Sequence, residues 1–244
     1  MSRPTLALAS LVLSACHVSL HDHVVVDGVE LEHHHEEVLT LASWPVEGLT
    51  IEAHRGDLRV EHGEGPTTLR VRIHEREPGA AHAHVDGGRL VARARDGEVC
   101  AIGDVLLRTS GPARGLRLTT GLGDVELAGV AVEGRLALST GMGDVEVEGA
   151  GAPESAELAS GMGDISVRGL RCERLSVDTG MGDVELEEVD ARAATLASGL
   201  GDVEVRRSRG GRLEASSGLG DVEVLESSFE TNALDTGLGS VRQR

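Results

Sequence analysis

The 244-residue chain carries 41 acidic and 23 basic side chains, a formal net charge of −18, and its basic residues are all Arg. Such a surface repels phosphate backbones and anionic headgroups, which argues against nucleic acid as a partner and leaves cations and basic proteins open. Aliphatic residues suffice for a sizeable core, but the aromatics are only Trp44 and Phe229, with no Tyr, so that core must be built from thin, uniform layers of a repeat rather than around bulky rings.

Residues 1–15 read MSRPTLALASLVLSA. Arg3 precedes an apolar run from Leu6 to Leu13, which has the length of a signal peptide and is too short to span a bilayer as a helix. The stretch ends in Leu13-Ser14-Ala15-Cys16, which resembles a bacterial lipobox. In that pattern the Cys is diacylated before the peptide is removed, so the resemblance implies an exported chain held on a membrane by lipid on Cys16. Two or three acyl chains anchor stably where one does not. By resemblance to sorting patterns in Gram-negative lipoproteins, the non-Asp residue His17 after the Cys favours the outer membrane. The alternative is an ordinary secretory signal followed by a chance Cys.

Residues 16–37 read as a His-rich tether. Its His33-His34-His35 run, flanked by Glu32 and Glu36, is a candidate for Zn²⁺, Ni²⁺ or Cu²⁺ through imidazole nitrogens. Three consecutive His on a tether would make a loose chelate, and a polar spacer is the alternative. His82 and His84 are weaker candidates. Residues 38–74 show weaker alternation and a Gly56-Asp57 pair, and are expected to form irregular early coils. Residues 78–88 are expected to form a loop.

The dominant signal is a repeat. G-[LM]-G-D begins at Gly121, Gly141, Gly161, Gly180, Gly199 and Gly218 and returns as G-L-G-S at Gly237, a period of 19 or 20 residues. Ala101-Ile102-Gly103-Asp104 resembles the same unit one coil earlier. Around each motif the pattern has period two: Leu116, Leu118 and Thr120 before it, Val125 and Leu127 after it. Two short strands and two turns per coil predict an all-β, single-domain β-solenoid over 38–244, regular from about residue 100. The motif glycines are expected at corners that need positive φ or close backbone approach. Stacked coils set equivalent residues about 4.8 Å apart. The motif Leu and Met residues, from Leu122 and Met142 to Leu238, are expected to form a core column. Thr120, Thr140, Ser160, Thr179, Ser198, Ser217 and Thr236 are expected to form an inward column bonded to each other or to corner backbone. A solenoid needs capped ends, a role open to Trp44 at one end and Phe229 at the other.

The serial T/S-G-x-G-D-[VI]-x-[VL] units over 116–242, with the upstream G-D-L-R-V and T-L-R-V-R-I segments, resemble the bacterial putative-adhesin β-strand-repeat family of unknown function. The resemblance covers roughly residues 50–244. It implies a cell-envelope protein and supplies no catalytic residues.

The Asp column (Asp104, Asp124, Asp144, Asp164, Asp183, Asp202, Asp221) is the most suggestive chemistry. Carboxylates at rung spacing repel by about 1 kcal/mol per pair even in water, so something must offset the repulsion. Each Asp could cap its own glycine turn, Ca²⁺ could bind between rungs, or a basic partner could dock. Cys100 falls in the Thr/Ser column and Cys172 aligns with Val132 and Ala191. That places them roughly 14–19 Å apart by rung spacing, too far for a disulfide, and both are expected as buried thiols. Every acid recurs by repeat, whereas a catalytic carboxylate pair needs unlike environments. The leading expectation is therefore a non-enzymatic, lipid-anchored envelope scaffold that binds no obligatory cofactor and recognises a surface partner. The alternatives are a Ca²⁺- or Zn²⁺-binding envelope protein and, further off, a carbohydrate-active enzyme.

Overall fold

Period-two alternation becomes strands wherever it occurs. The computed structural model describes residues 24–244, and the signal segment and Cys16 lie outside them. Seven coils follow one another from residue 113, each a long strand, a glycine corner, a short strand and a second corner. They are Ala113–Leu122 with Val125–Ala128, Val132–Met142 with Val145–Glu148, Gly151–Met162 with Ile165–Arg168, Arg171–Met181 with Val184–Glu187, Asp190–Leu200 with Val203–Arg206, Arg209–Leu219 with Val222–Leu225, and Ser228–Leu238 with Val241–Gln243. Long strands pair in parallel with long, short with short, so the chain is an all-β solenoid with two parallel sheets. Between them lies one aliphatic core. Leu116, Leu118, Leu136 and Leu138 come from one sheet and Val125, Leu127, Val145 and Val147 from the other, all buried. Identical rungs stack like side chain on like, so aliphatics alone reach close packing.

The first coil departs from sequence order. Leu49–Ala53 and Leu58–His62 form the rung beneath Ala113–Leu122 and Val125–Ala128. Leu58–His62 also pairs in parallel with Cys100–Thr109 on its other side. The chain thus leaves the stack after residue 62, builds an end piece, and returns above its own first rung. Ala101–Asp104 is therefore not the rung next to Gly121–Asp124, and it lies within a continuous strand rather than at a corner. The regular coils begin at Ala113, not near residue 100.

The end piece switches to antiparallel pairing. Thr68–Glu75 pairs with Cys100–Thr109, and His33–Thr40 pairs with Thr68–Glu75 at the sheet edge. In the other sheet Ala81–Asp86 and Arg89–Ala94 form a terminal hairpin. Two expectations are corrected here. Residues 81–86 are strand, not loop. Residues 24–37 are not a tether but the hairpin Val24–Val26 with Val29–Leu31 and the edge strand, because Leu31 and Val26 bury against Ala101 in a small second core. Trp44 packs against the main core and donates its indole N–H to the Arg114 carbonyl at 2.9 Å, so it seals a corner while the antiparallel strands cover the end. Phe229 packs on the core in the last long strand, beside Gly210. Cys172 is buried, Cys100 only half-buried, and neither is disulfide-bonded.

Candidate functional site

Three features run along or beside the glycine corner, and each is set by the G-x-G-D unit. The first Gly of the unit stands where a Cβ would meet the carbonyl oxygen of the residue one rung below, at 2.5 Å for Gly121 against His54 and for Gly141 against Gly121. The second Gly (Gly123, Gly143, Gly163, Gly182, Gly201, Gly220) takes φ between +133° and +150°, a region open essentially to Gly. Close approach therefore fixes Gly121, Gly141, Gly161, Gly180, Gly199, Gly218 and Gly237, while positive φ falls two residues later in all but the last unit.

The Asp after this turn links rungs. The backbone N–H of each Asp donates to the Oδ1 of the Asp one rung before, at 2.7–3.1 Å, from Asp57 on Asp104 through Asp124, Asp144, Asp164, Asp183, Asp202 and Asp221. The expectation that each Asp caps its own turn is corrected by one rung. At the lower end Arg72 Nη1 holds Asp104 Oδ2 at 2.5 Å. At the upper end the N–H of Ser240 donates to Asp221 Oδ1 at 2.8 Å, and that contact holds the Asp221 carboxyl below its ordinary range. In the last unit Ser240 stands at the Asp position and its backbone N–H still makes the inter-rung bond. Charge-assisted bonds of this kind offset the repulsion between neighbouring carboxylates.

The hydroxyl column behaves as expected of an inward set. Thr120, Thr140, Ser160, Thr179, Ser198, Ser217 and Thr236 each donate to the carbonyl of a positive-φ glycine one rung below, at 2.7–2.9 Å. The corner backbone is their partner, not the next hydroxyl.

The motif Leu and Met residues are not in the core. Met142, Met162, Met181, Leu200 and Leu219 are 41–46% exposed and Leu238 more so. The corner breaks the strand alternation that would have turned them inward. Register pairs them rung to rung from Leu122 to Leu238, so they form an apolar ridge about 29 Å long at rung spacing. Beside it run the Asp ladder and, on the short-strand face, the column Glu126, Glu146, Ser166, Glu185, Glu204, Glu223. Arg59 closes that column at one end, on Glu126 at 2.7 Å, and Arg242 closes it at the other, on Glu223. Glu146 and Glu185 make no ion pair among the described residues and face water.

The His tract is split by its own strand. Successive side chains of a strand point to opposite faces, so His33, His34 and His35 cannot share one ion as a chelate. His34 turns to the ring of His74, 5.8 Å between centroids. His35 instead meets Glu37, Glu75 and His82 on the other face. The period-two spacing of His35 and Glu37 was visible in the sequence, but their meeting with His82 was not. His84 is not part of this group.

Residues 134–242 match the family model described as Toastrack DUF4097. Among solved structures, one described as a putative adhesin from Bacteroides fragilis NCTC 9343 aligns with a TM-score of 0.60 at 13% identity, over 87% of this chain and 98% of that one. Another, described as a putative adhesin from Parabacteroides merdae ATCC 43184, aligns with a TM-score of 0.51 at 9% identity, over 87% and 97%. At these identities the likeness is one of fold. No curated protein matches.

Proposed function

Starting from a chain that carries a Toastrack DUF4097 domain, we propose that it is a non-catalytic interaction module of the cell envelope, exported and held on the membrane by lipid on Cys16, the outer membrane if the cell is Gram-negative. The observation that carries this reading is the ridge of exposed side chains from Met142 to Leu238 flanked by the Asp ladder. Contiguous exposed apolar side chains rimmed by polar ones mark interaction surfaces. Met adapts to varied partners because it is unbranched and polarisable. The partner that fits is a protein with an apolar groove bordered by basic residues, since the flanking faces are acidic. The family resemblance and the similar structures described as adhesins support the surface role.

A catalytic reading gains nothing from the ladder. Asp124 to Asp202 repeat one hydrogen-bonding arrangement, whereas acid–base pairs work through unlike environments. The test places a photo-crosslinking amino acid at position 162 of the full chain in the producing cells, with position 178 on the long-strand face as control. Adducts at 162 alone, abolished by Met142→Gln with Met181→Gln, support the ridge as the contact surface. Equal labelling at both positions, or none at 162, overturns it. Membrane attachment is tested separately by Cys16→Ser, which should move the chain out of the membrane fraction.

A further inference from the structure

The geometry points to a divalent transition-metal site, of the kind that takes Zn²⁺, formed by His35 Nε2, the Glu37 carboxylate and His82 Nδ1, with Glu75 as the positioning residue. The donor atoms of His35, Glu37 and His82 all lie within 4.8 Å of one another. His82 Nδ1 stands 2.6 Å and His35 Nε2 3.4 Å from the same oxygen, Glu37 Oε1. Tetrahedral ligands at about 2.1 Å from Zn²⁺ lie about 3.4 Å apart, so small rotamer adjustments admit an ion among them. Two imidazoles, one carboxylate and an open fourth position match the ligand types this ion prefers, and imidazole nitrogen disfavours Ca²⁺ and Mg²⁺.

The support around these ligands is built in. Glu75 is 1% exposed, and its carboxylate is fixed by the N–H groups of Gly79 at 2.6 Å and Ala81 at 2.8 Å. Its Oε1 also lies 2.9 Å from His35 Nδ1. A carboxylate on the far nitrogen of an imidazole sets the tautomer and leaves Nε2 as the free lone pair, which is how metal-binding His residues are oriented. Glu37 is likewise held, its Oε2 accepting the N–H of Ala83 at 2.8 Å.

Position in the fold gives the site a role. His35 and Glu37 stand on the edge strand of one sheet and His82 on the edge strand of the other. An ion there would join the two sheets at the capped end of the solenoid, where Glu37 already bridges their edges through His82 and the Ala83 N–H. This inference does not depend on the partner-binding reading of the ridge.

The experiment uses the full chain stripped with EDTA. Zn²⁺ affinity is measured by competition with a chromophoric chelator, and geometry by the visible absorption of Co²⁺. The expected result is one Zn²⁺ per chain, with intense tetrahedral Co²⁺ bands. His82→Ala and Glu37→Gln should each weaken binding at least tenfold, and Glu75→Gln about 10- to 100-fold. A His33→Ala with His34→Ala variant should change it less than about threefold, because those residues leave the site intact. The His82 side chain is 62% exposed, so its loss leaves the fold in place, and far-UV circular dichroism verifies this. Binding that survives His82→Ala, or that is lost with His33 and His34, would assign the metal to the linear His tract and overturn the proposal. No Zn²⁺ retained by the folded chain would overturn it as well.

Discussion

The backbone N–H of Asp164 donates to the carboxylate Oδ1 of Asp144, one coil back, at 2.8 Å. The same contact links rung to rung, so the motif Asp is a coupling between coils rather than a cap on its own turn. Asp164→Ala removes the acceptor for Asp183 N–H, and Asp164→Asn keeps an acceptor oxygen without the charge. The expected loss is about 1 kcal/mol for Ala, discounted for exposure, and less for Asn, read from urea denaturation. Added Ca²⁺ should leave the melting temperature of the unmutated chain unchanged, since backbone amides already take up one oxygen of each Asp. A steep Ca²⁺-dependent rise would assign the ladder to cation binding.

Backbone conformation predicts opposite outcomes at the two corners. A Cβ at Gly163, φ +144°, would lie 2.0 Å from the Gly143 carbonyl oxygen, so Gly163→Ala should cost about 3 kcal/mol or more. At the second corner the positive-φ position is Gly129, Gly149 and Gly169 in the early coils but Glu188, Arg207 and Glu226 in the later ones. Glu226 sits at φ +51°, and Glu226→Asn should stabilise by about 0.5 kcal/mol, because Asn tolerates the left-handed region better. Thermal melts of the two variants decide it, and an Asn variant that melts lower would refute the second half.

What the sequence made legible was whatever each coil repeats. Val125 and Leu127 face inward, Glu126 outward, and the next coil says the same, so fold class and strand face follow from period alone. Stacking order does not follow, because coils are chemically alike. Nothing local tells Leu58–His62 to sit between Cys100–Thr109 and Val125–Ala128. The outward turn of the Met ridge does not follow either, since parity carried through Thr120 and Gly121 fails at the Gly123 corner. The His35 and Glu37 pair meets His82 from a second sheet edge 45 or more residues further along the chain, and no spacing rule reaches that far.

If the ridge is surface, its side chains can be changed without cost to the fold. Met181→Gln should shift stability by no more than about 0.5 kcal/mol. Val184, three residues on and 0% exposed, should lose about 2 kcal/mol on Val184→Ala through lost burial and a cavity. Chemical denaturation of the pair distinguishes the two. An equal loss at both positions would return the motif residue to the core.

His74 gives the end piece a pH dependence whose sign is fixed by its surroundings. It lies on Thr68–Glu75 with Nδ1 buried and without a hydrogen-bond partner. Burial, then the proximity of His34, Arg72 and Arg55, holds its pKa below the ordinary 6.5, with Asp104 opposing. The unfolded chain therefore binds this proton more readily than the folded one. The His74 contribution is fully present above about pH 6.5 and is lost as pH falls from there to the folded value, with a slope of at most about 1.4 kcal/mol per pH unit. Melting temperatures followed from about pH 7.5 to about pH 5 should fall more steeply for the unmutated chain than for His74→Gln. Equal slopes would mean that His74 titrates alike in both states and that its burial is relieved by motion of the edge strands.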